Sequence, residues 1–143
     1  MKLRIAAIVL CAAVLAACGT SSPSGPAAGK HDHGGPDAFN VALVSSNVIA
    51  DVTVDPARVG VVMVHMEFSP PGGRLQQVTS VSGTLTSVDE AQPVVELQFE
   101  ESGTNHFHGE TEVSESGKWT LDLAATLGDG TRVSYTTSIE FER

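Results

Sequence analysis

Cysteine is scarce, and its placement is informative. The chain has two, Cys11 and Cys18, both within the first eighteen of its 143 residues. From residue 19 onward there is no thiol, which excludes disulfide cross-links, thiol nucleophiles and thiolate metal sites from that stretch. Basic residues are also few. Eight Lys and Arg stand against seventeen Asp and Glu, for a net charge of −9. Such a chain carries no electrostatic footprint for a phosphate backbone, so nucleic acid is not expected as a partner. Helical periodicity is missing after the first few residues, as are a phosphate-cradling glycine loop and a Gly-x-Ser-x-Gly elbow. No histidine is spaced to activate a serine. The carboxylates at Glu100-Glu101 and Glu110/Glu112 come without a recognisable cleft, and the reading is of a protein that is not an enzyme.

The N-terminus has the form of an export signal. Lys2 and Arg4 give a short positive region, and Ile5 to Leu15 give an apolar run too short to span a bilayer comfortably. The run ends in Leu15-Ala16-Ala17-Cys18-Gly19, which resembles the lipobox of bacterial lipoproteins. The resemblance implies a signal peptide over residues 1–17, cleavage before Cys18, and acylation of the Cys18 thiol with palmitate-type chains. The protein is then expected at the cell membrane, lipid-anchored on the extracytoplasmic side. An ordinary cleaved signal leaving a free cysteine is the alternative. Removing residues 1–17 takes away Lys2 and Arg4 and no acid, leaving six basic against seventeen acidic side chains, a charge of −11. That charge favours solubility and attracts cations.

Residues 18–38 are rich in Gly, Pro, Ser and Ala, with almost no large apolar side chain, and read as a flexible tether. His31 and His33 in it are candidate metal ligands.

From Phe39 the apolar residues recur with period two. Val62, Val64, Met66 and Phe68 fall on one strand face, and Val95, Leu97 and Phe99 on another. Phe107 and Val113, then Trp119, Leu121, Leu123, Ala125 and Leu127, and then Val133, Tyr135, Ile139 and Phe141 do the same. Pro70-Pro71-Gly72-Gly73 stops one strand, Gly128-Asp129-Gly130 is a hairpin turn, and the long Leu75–Val88 stretch is expected to bend near Gly83. Val94 to Glu100 reads as a single strand. This pattern predicts an all-β domain over 39–143, an immunoglobulin-like antiparallel β-sandwich of seven to eight strands, with a small barrel as the alternative.

Three segments together resemble one family: Val52-Thr53-Val54-Asp55-Pro56-Ala57-Arg58-Val59-Gly60 followed by Val64-His65-Met66, then His106-Phe107-His108-Gly109, then Gly117-Lys118-Trp119-Thr120-Leu121. They look like the YtkA-like domain, an immunoglobulin-like module of exported bacterial proteins that also forms the C-terminal end of CopD-type copper-transport proteins. The resemblance, over roughly residues 45–141, implies a β-sandwich, an association with copper and no enzymatic reaction. The chain departs from CopD in lacking transmembrane helices. It also lacks the N-terminal histidine with which CopC proteins bind copper.

The histidines invite a site on their own account. His106 and His108 are two apart, so they share a strand face, and the inward Phe107 makes that face the outer one. His65 points away from the Val64/Met66/Phe68 face, with Met63 two residues before it. If the Trp119 strand is the sixth of the sandwich, these strands are its second and fifth, and shifting the labels by one makes them its third and sixth; either pair are neighbours. Met63, His65, His106 and His108 then form a candidate metal site. Imidazole and thioether suit copper, imidazole alone also zinc or nickel, and Glu67 and Glu110 are available as carboxylates. The expected function is that of an anchored lipoprotein binding copper or another transition metal, with an envelope or copper-transport protein as partner. The alternative is a metal-free interaction or structural module of the cell envelope.

Overall fold

The computed structural model describes residues 34–72, 74, 77–89 and 92–143. The sequence-predicted signal, lipidation site Cys18 and tether histidines His31 and His33 lie outside these residues. Nine strands are present: β1 (Phe39–Ser45), β2 (Val48–Asp55), β3 (Gly60–Ser69), β4 (Val78–Ser87), β5 (Val95–Gln98), β6 (Glu100–Gly103), β7 (His106–Val113), β8 (Gly117–Leu127) and β9 (Arg132–Phe141). They form a five-stranded sheet in the order β1-β2-β3-β7-β6 and a four-stranded sheet in the order β5-β4-β8-β9, with all neighbours antiparallel. Taking β2 as the first strand of an immunoglobulin fold, β2-β3-β7-β6 runs A-B-E-D and β4-β8-β9 runs C-F-G. β1 adds a hairpin at the A edge. The expected sandwich is therefore the observed one.

The core follows from alternation. Val62, Val64, Met66 and Phe68 of β3 are buried while the residues between them are not, and β8 buries Trp119, Leu121, Leu123, Ala125 and Leu127. Both sets point between the sheets, where removing apolar surface from water supplies most of the stabilisation. Trp119 is 1% exposed, meets Phe141 edge-on at 6.3 Å and donates its indole N–H to the Glu115 carbonyl at 3.2 Å. Tyr135 is buried as well, with its hydroxyl donating to the Val48 carbonyl at 3.3 Å across the two sheets. Burial pushes the Tyr135 phenol up to about 12. Phe68 joins the same cluster, 6.0 Å from Phe107 and 6.3 Å from Tyr135. At the end of β9, Val59 N–H donates to the Glu142 carbonyl at 2.7 Å and Glu142 N–H to the Ala57 carbonyl at 3.0 Å. These two bonds close that edge of the sandwich.

Three expectations are corrected. The run expected as one strand over Val94–Glu100 changes sheets at Phe99, so β5 pairs with β4 while β6 pairs with β7, and the count becomes nine. At Gly83, where a bend was expected, the register of β4 runs unbroken, and the irregularity of that strand falls between Val78 and Ser80. A Cβ at Gly83 would meet Leu123 Cδ2 at 2.8 Å, so glycine there serves close packing of β4 on the core. Finally, ordered structure begins before Phe39. Gly35 N–H donates to Asp55 Oδ2 at 2.8 Å, Ala57 N–H to the Asp37 carbonyl at 2.8 Å, and Arg58 pairs with Asp37 at 2.6 Å. Residues 34–38, read as tether, are thus tied to the β2–β3 turn.

Candidate metal site

The outer face of the five-stranded sheet is where the predicted ligands meet. In the β3–β7 register His65 lies directly opposite His108, Glu67 opposite His106, and Met63 opposite Glu110. Paired residues of an antiparallel ladder project to the same side. All three histidines therefore stand on the side away from Phe107, Val64 and Met66, which are buried. Each is half-buried. The His65 ring centroid is 6.2 Å from that of His106 and 6.3 Å from that of His108, with the planes inclined at 53° and 32°.

Those distances can be compared with coordination geometry. With metal–nitrogen bonds of about 2.0–2.1 Å and ring centroids about 1.1 Å behind the nitrogen, two imidazoles on one ion have centroids at most about 6.4 Å apart, and about 5.2 Å in a tetrahedron. The observed spacings fall inside that two-ligand limit, but they are about 0.7 Å wider than the roughly 5.5 Å of three rings spread evenly on one ion and about 1 Å wider than the tetrahedral value. Among the described residues no three His, Asp or Glu side chains already converge on one point. Ligation requires the rings to turn on strands that are already in register.

The registers extend the site across the sheet. One row runs Asn40, Thr53, His65, His108, Glu100, and the next runs Ala42, Asp51, Glu67, His106, Gly103. Met63 belongs to a third row with Asp55 and Glu110. At the β2 end, Thr53 donates to Asn40 Oδ1 at 2.7 Å and is 7% exposed, because Gly34 lies against its methyl group. Gly34 thus lies over the Thr53 end of the row. At the β6 end the face is open, and Gly103 opposite His106 carries no side chain.

Two local devices hold the histidine strand. Asn105, at φ +58, accepts the Val78 N–H on its side-chain oxygen at 2.7 Å and the Phe68 N–H on its carbonyl at 2.9 Å. Asparagine tolerates this left-handed conformation, and it pins the start of β7 to both β3 and β4 just before His106. Gly109 faces inward, where a Cβ would come within 2.5 Å of the Gln98 carbonyl oxygen and 3.3 Å of Phe99. The missing side chain lets the β5–β6 crossover pass directly over β7. That crossover brings Glu100 beside His108. Alternation through Val95, Leu97 and Phe99 continues unbroken to Glu100 and does not reveal the change of sheet.

The surface depressions lie elsewhere. One borders Pro36, Phe39, Lys118 and Glu140, and another crosses the outer face of the four-stranded sheet at Thr84, Asp122 and Thr136. No helix among the described residues is long and apolar enough to cross a membrane.

No family model matches the chain, and no curated protein matches it either. Solved structures similar in fold include two from uncharacterised families. One is a DUF4426 family protein from Pseudomonas aeruginosa, 10% identical, with a TM-score of 0.57 over 71% of this chain and 96% of that one. The other is a DUF4785 family protein from Legionella pneumophila, 15% identical, with a TM-score of 0.51 over 68% of this chain and 29% of that one. At such identities the likeness is one of fold alone.

Proposed function

We propose that this protein is a membrane-anchored extracytoplasmic lipoprotein of the YtkA-like kind. Its β-sandwich binds copper or another transition metal through His65, His106 and His108. The observation that carries the reading is the pairing of His65 with His108, with His106 on the diagonal, both ring spacings being within about 1 Å of those on a shared ion. The three imidazoles are gathered on the outer side of the sheet, while the core residues of the same strands point the other way. Imidazole is the common donor for copper, zinc and nickel. The acidic balance of the chain draws cations to the surface. Acylated Cys18 holds the module at the membrane, and His31 and His33 form a separate, weaker set of ligands in the tether. The role is one of binding and hand-over to an envelope or copper-transport partner, without catalysis.

Titrating the purified protein with Cu(I) and Cu(II), and repeating it with His106→Ala and His108→Ala, tests the reading. Loss of the tight class of sites in both variants supports it. Micromolar or tighter binding that survives both substitutions refutes it.

A further inference from the structure

We propose that Glu100 is the oxygen ligand of this site, which makes it selective for a divalent ion such as Zn(II) or Cu(II) over Cu(I). The inference rests on the metal-binding reading above. Its starting point is the crossover at Phe99, which takes Glu100 out of the four-stranded sheet and pairs it with His108. Directly opposed residues in an antiparallel pair have Cβ atoms about 4.5–5.5 Å apart, well within the reach of a glutamate carboxylate and an imidazole that share an ion. Glu100, His108 and His65 then occupy three adjacent strands in one row, with His106 beside them. Gly103 stands opposite His106 and adds no side chain there.

The resulting donor set is three imidazoles and one carboxylate. Nitrogen and oxygen donors suit Zn(II) and Cu(II), whereas Cu(I) is selected by thiolate and thioether. The thioether of Met63 stands one row from His65 and His108 on the side opposite His106, two rows from His106, and lies between Asp55 and Glu110. Asp51 and Glu67, in the His106 row, add negative charge on the same face. Such a field favours the ion of higher charge.

The test is calorimetric titration of the purified protein with Zn(II) and Cu(II), and with Cu(I) under anaerobic competition. The variants are Glu100→Gln, Met63→Leu and His108→Ala. Glu100→Gln is expected to weaken Zn(II) and Cu(II) at least tenfold and leave Cu(I) unchanged, since even outer partners of metal ligands contribute about 10–100-fold. Met63→Leu is expected to leave the divalent ions unaffected. If Glu100→Gln binds Zn(II) as the parent does while His108→Ala does not, the Glu100 assignment is overturned and the histidine site stands. An equal loss of Cu(I) in Glu100→Gln overturns the divalent preference. If His108→Ala changes nothing, or no ion binds, the metal reading fails and this inference with it.

Discussion

His65 and His108 face each other across β3 and β7, their rings 6.3 Å apart on the outer side of a sheet whose inner side is closed by Phe107, Val64 and Met66. The two strands therefore separate their work by face. Alternate residues hold the sandwich together, and the residues between them form its outer face.

The first prediction follows from that separation. Replacing His65, His106 or His108 singly by alanine leaves the metal-free domain within about 1 kcal/mol of the parent, as for side chains outside the core. Denaturant unfolding with chelator present measures it. A loss of about 3 kcal/mol or more would mean that the imidazoles are structural.

Gly109 supports the second. A Cβ there would press on the Gln98 carbonyl oxygen, which is backbone and has little room to give. Gly109→Ala is expected to destabilise the domain by about 1–3 kcal/mol, in the range of core overpacking. Since the same crossover sets Glu100 beside His108, Zn(II) affinity should fall with it. Unfolding midpoints and zinc titrations of this one variant check both effects.

Tyr135 gives a pH dependence with a definite sign. Burial raises its phenol to about 12 from the ordinary 10, so between these values the unfolded chain has lost the proton that the folded chain keeps. The associated stability is complete below about pH 10 and is lost as pH rises through 12, by at most about 2–3 kcal/mol. Near pH 7, Tyr135→Phe should cost about 0.5–1.5 kcal/mol through the lost bond to the Val48 carbonyl. Above pH 10 the variant should gain on the parent. Parallel unfolding curves at pH 7, 10 and 11 resolve this.

Much of the fold was legible in the residues. Alternation over Val62–Phe68 and Trp119–Leu127 names the buried faces directly, because a strand has period two and one face must leave water. The same rule placed His65, His106 and His108 outside. The neighbourhood of β3 and β7 needed only the connectivity of an immunoglobulin-like sheet. The change of sheet at Phe99 was not legible. Val95, Leu97 and Phe99 alternate without interruption, and the crossover depends on Gly109, ten residues further on, having no side chain. Glu100 was therefore missed as a member of the site. Register escaped for a related reason, since alternation says which face a residue takes and not which residue stands opposite. The pairing sets Met63 opposite Glu110, one row from His65 and His108, and His106 one row from them on the other side.

The central claim is that one ion is held by His65, His106 and His108 together, and imidazole nitrogen NMR during a Zn(II) titration of the purified protein tests it most directly. The account predicts that one nitrogen of each of these three rings shifts in step and saturates at a single equivalent, before His31 and His33 respond. Movement of the tether histidines alone, or of the three rings at different stoichiometries, would contradict it.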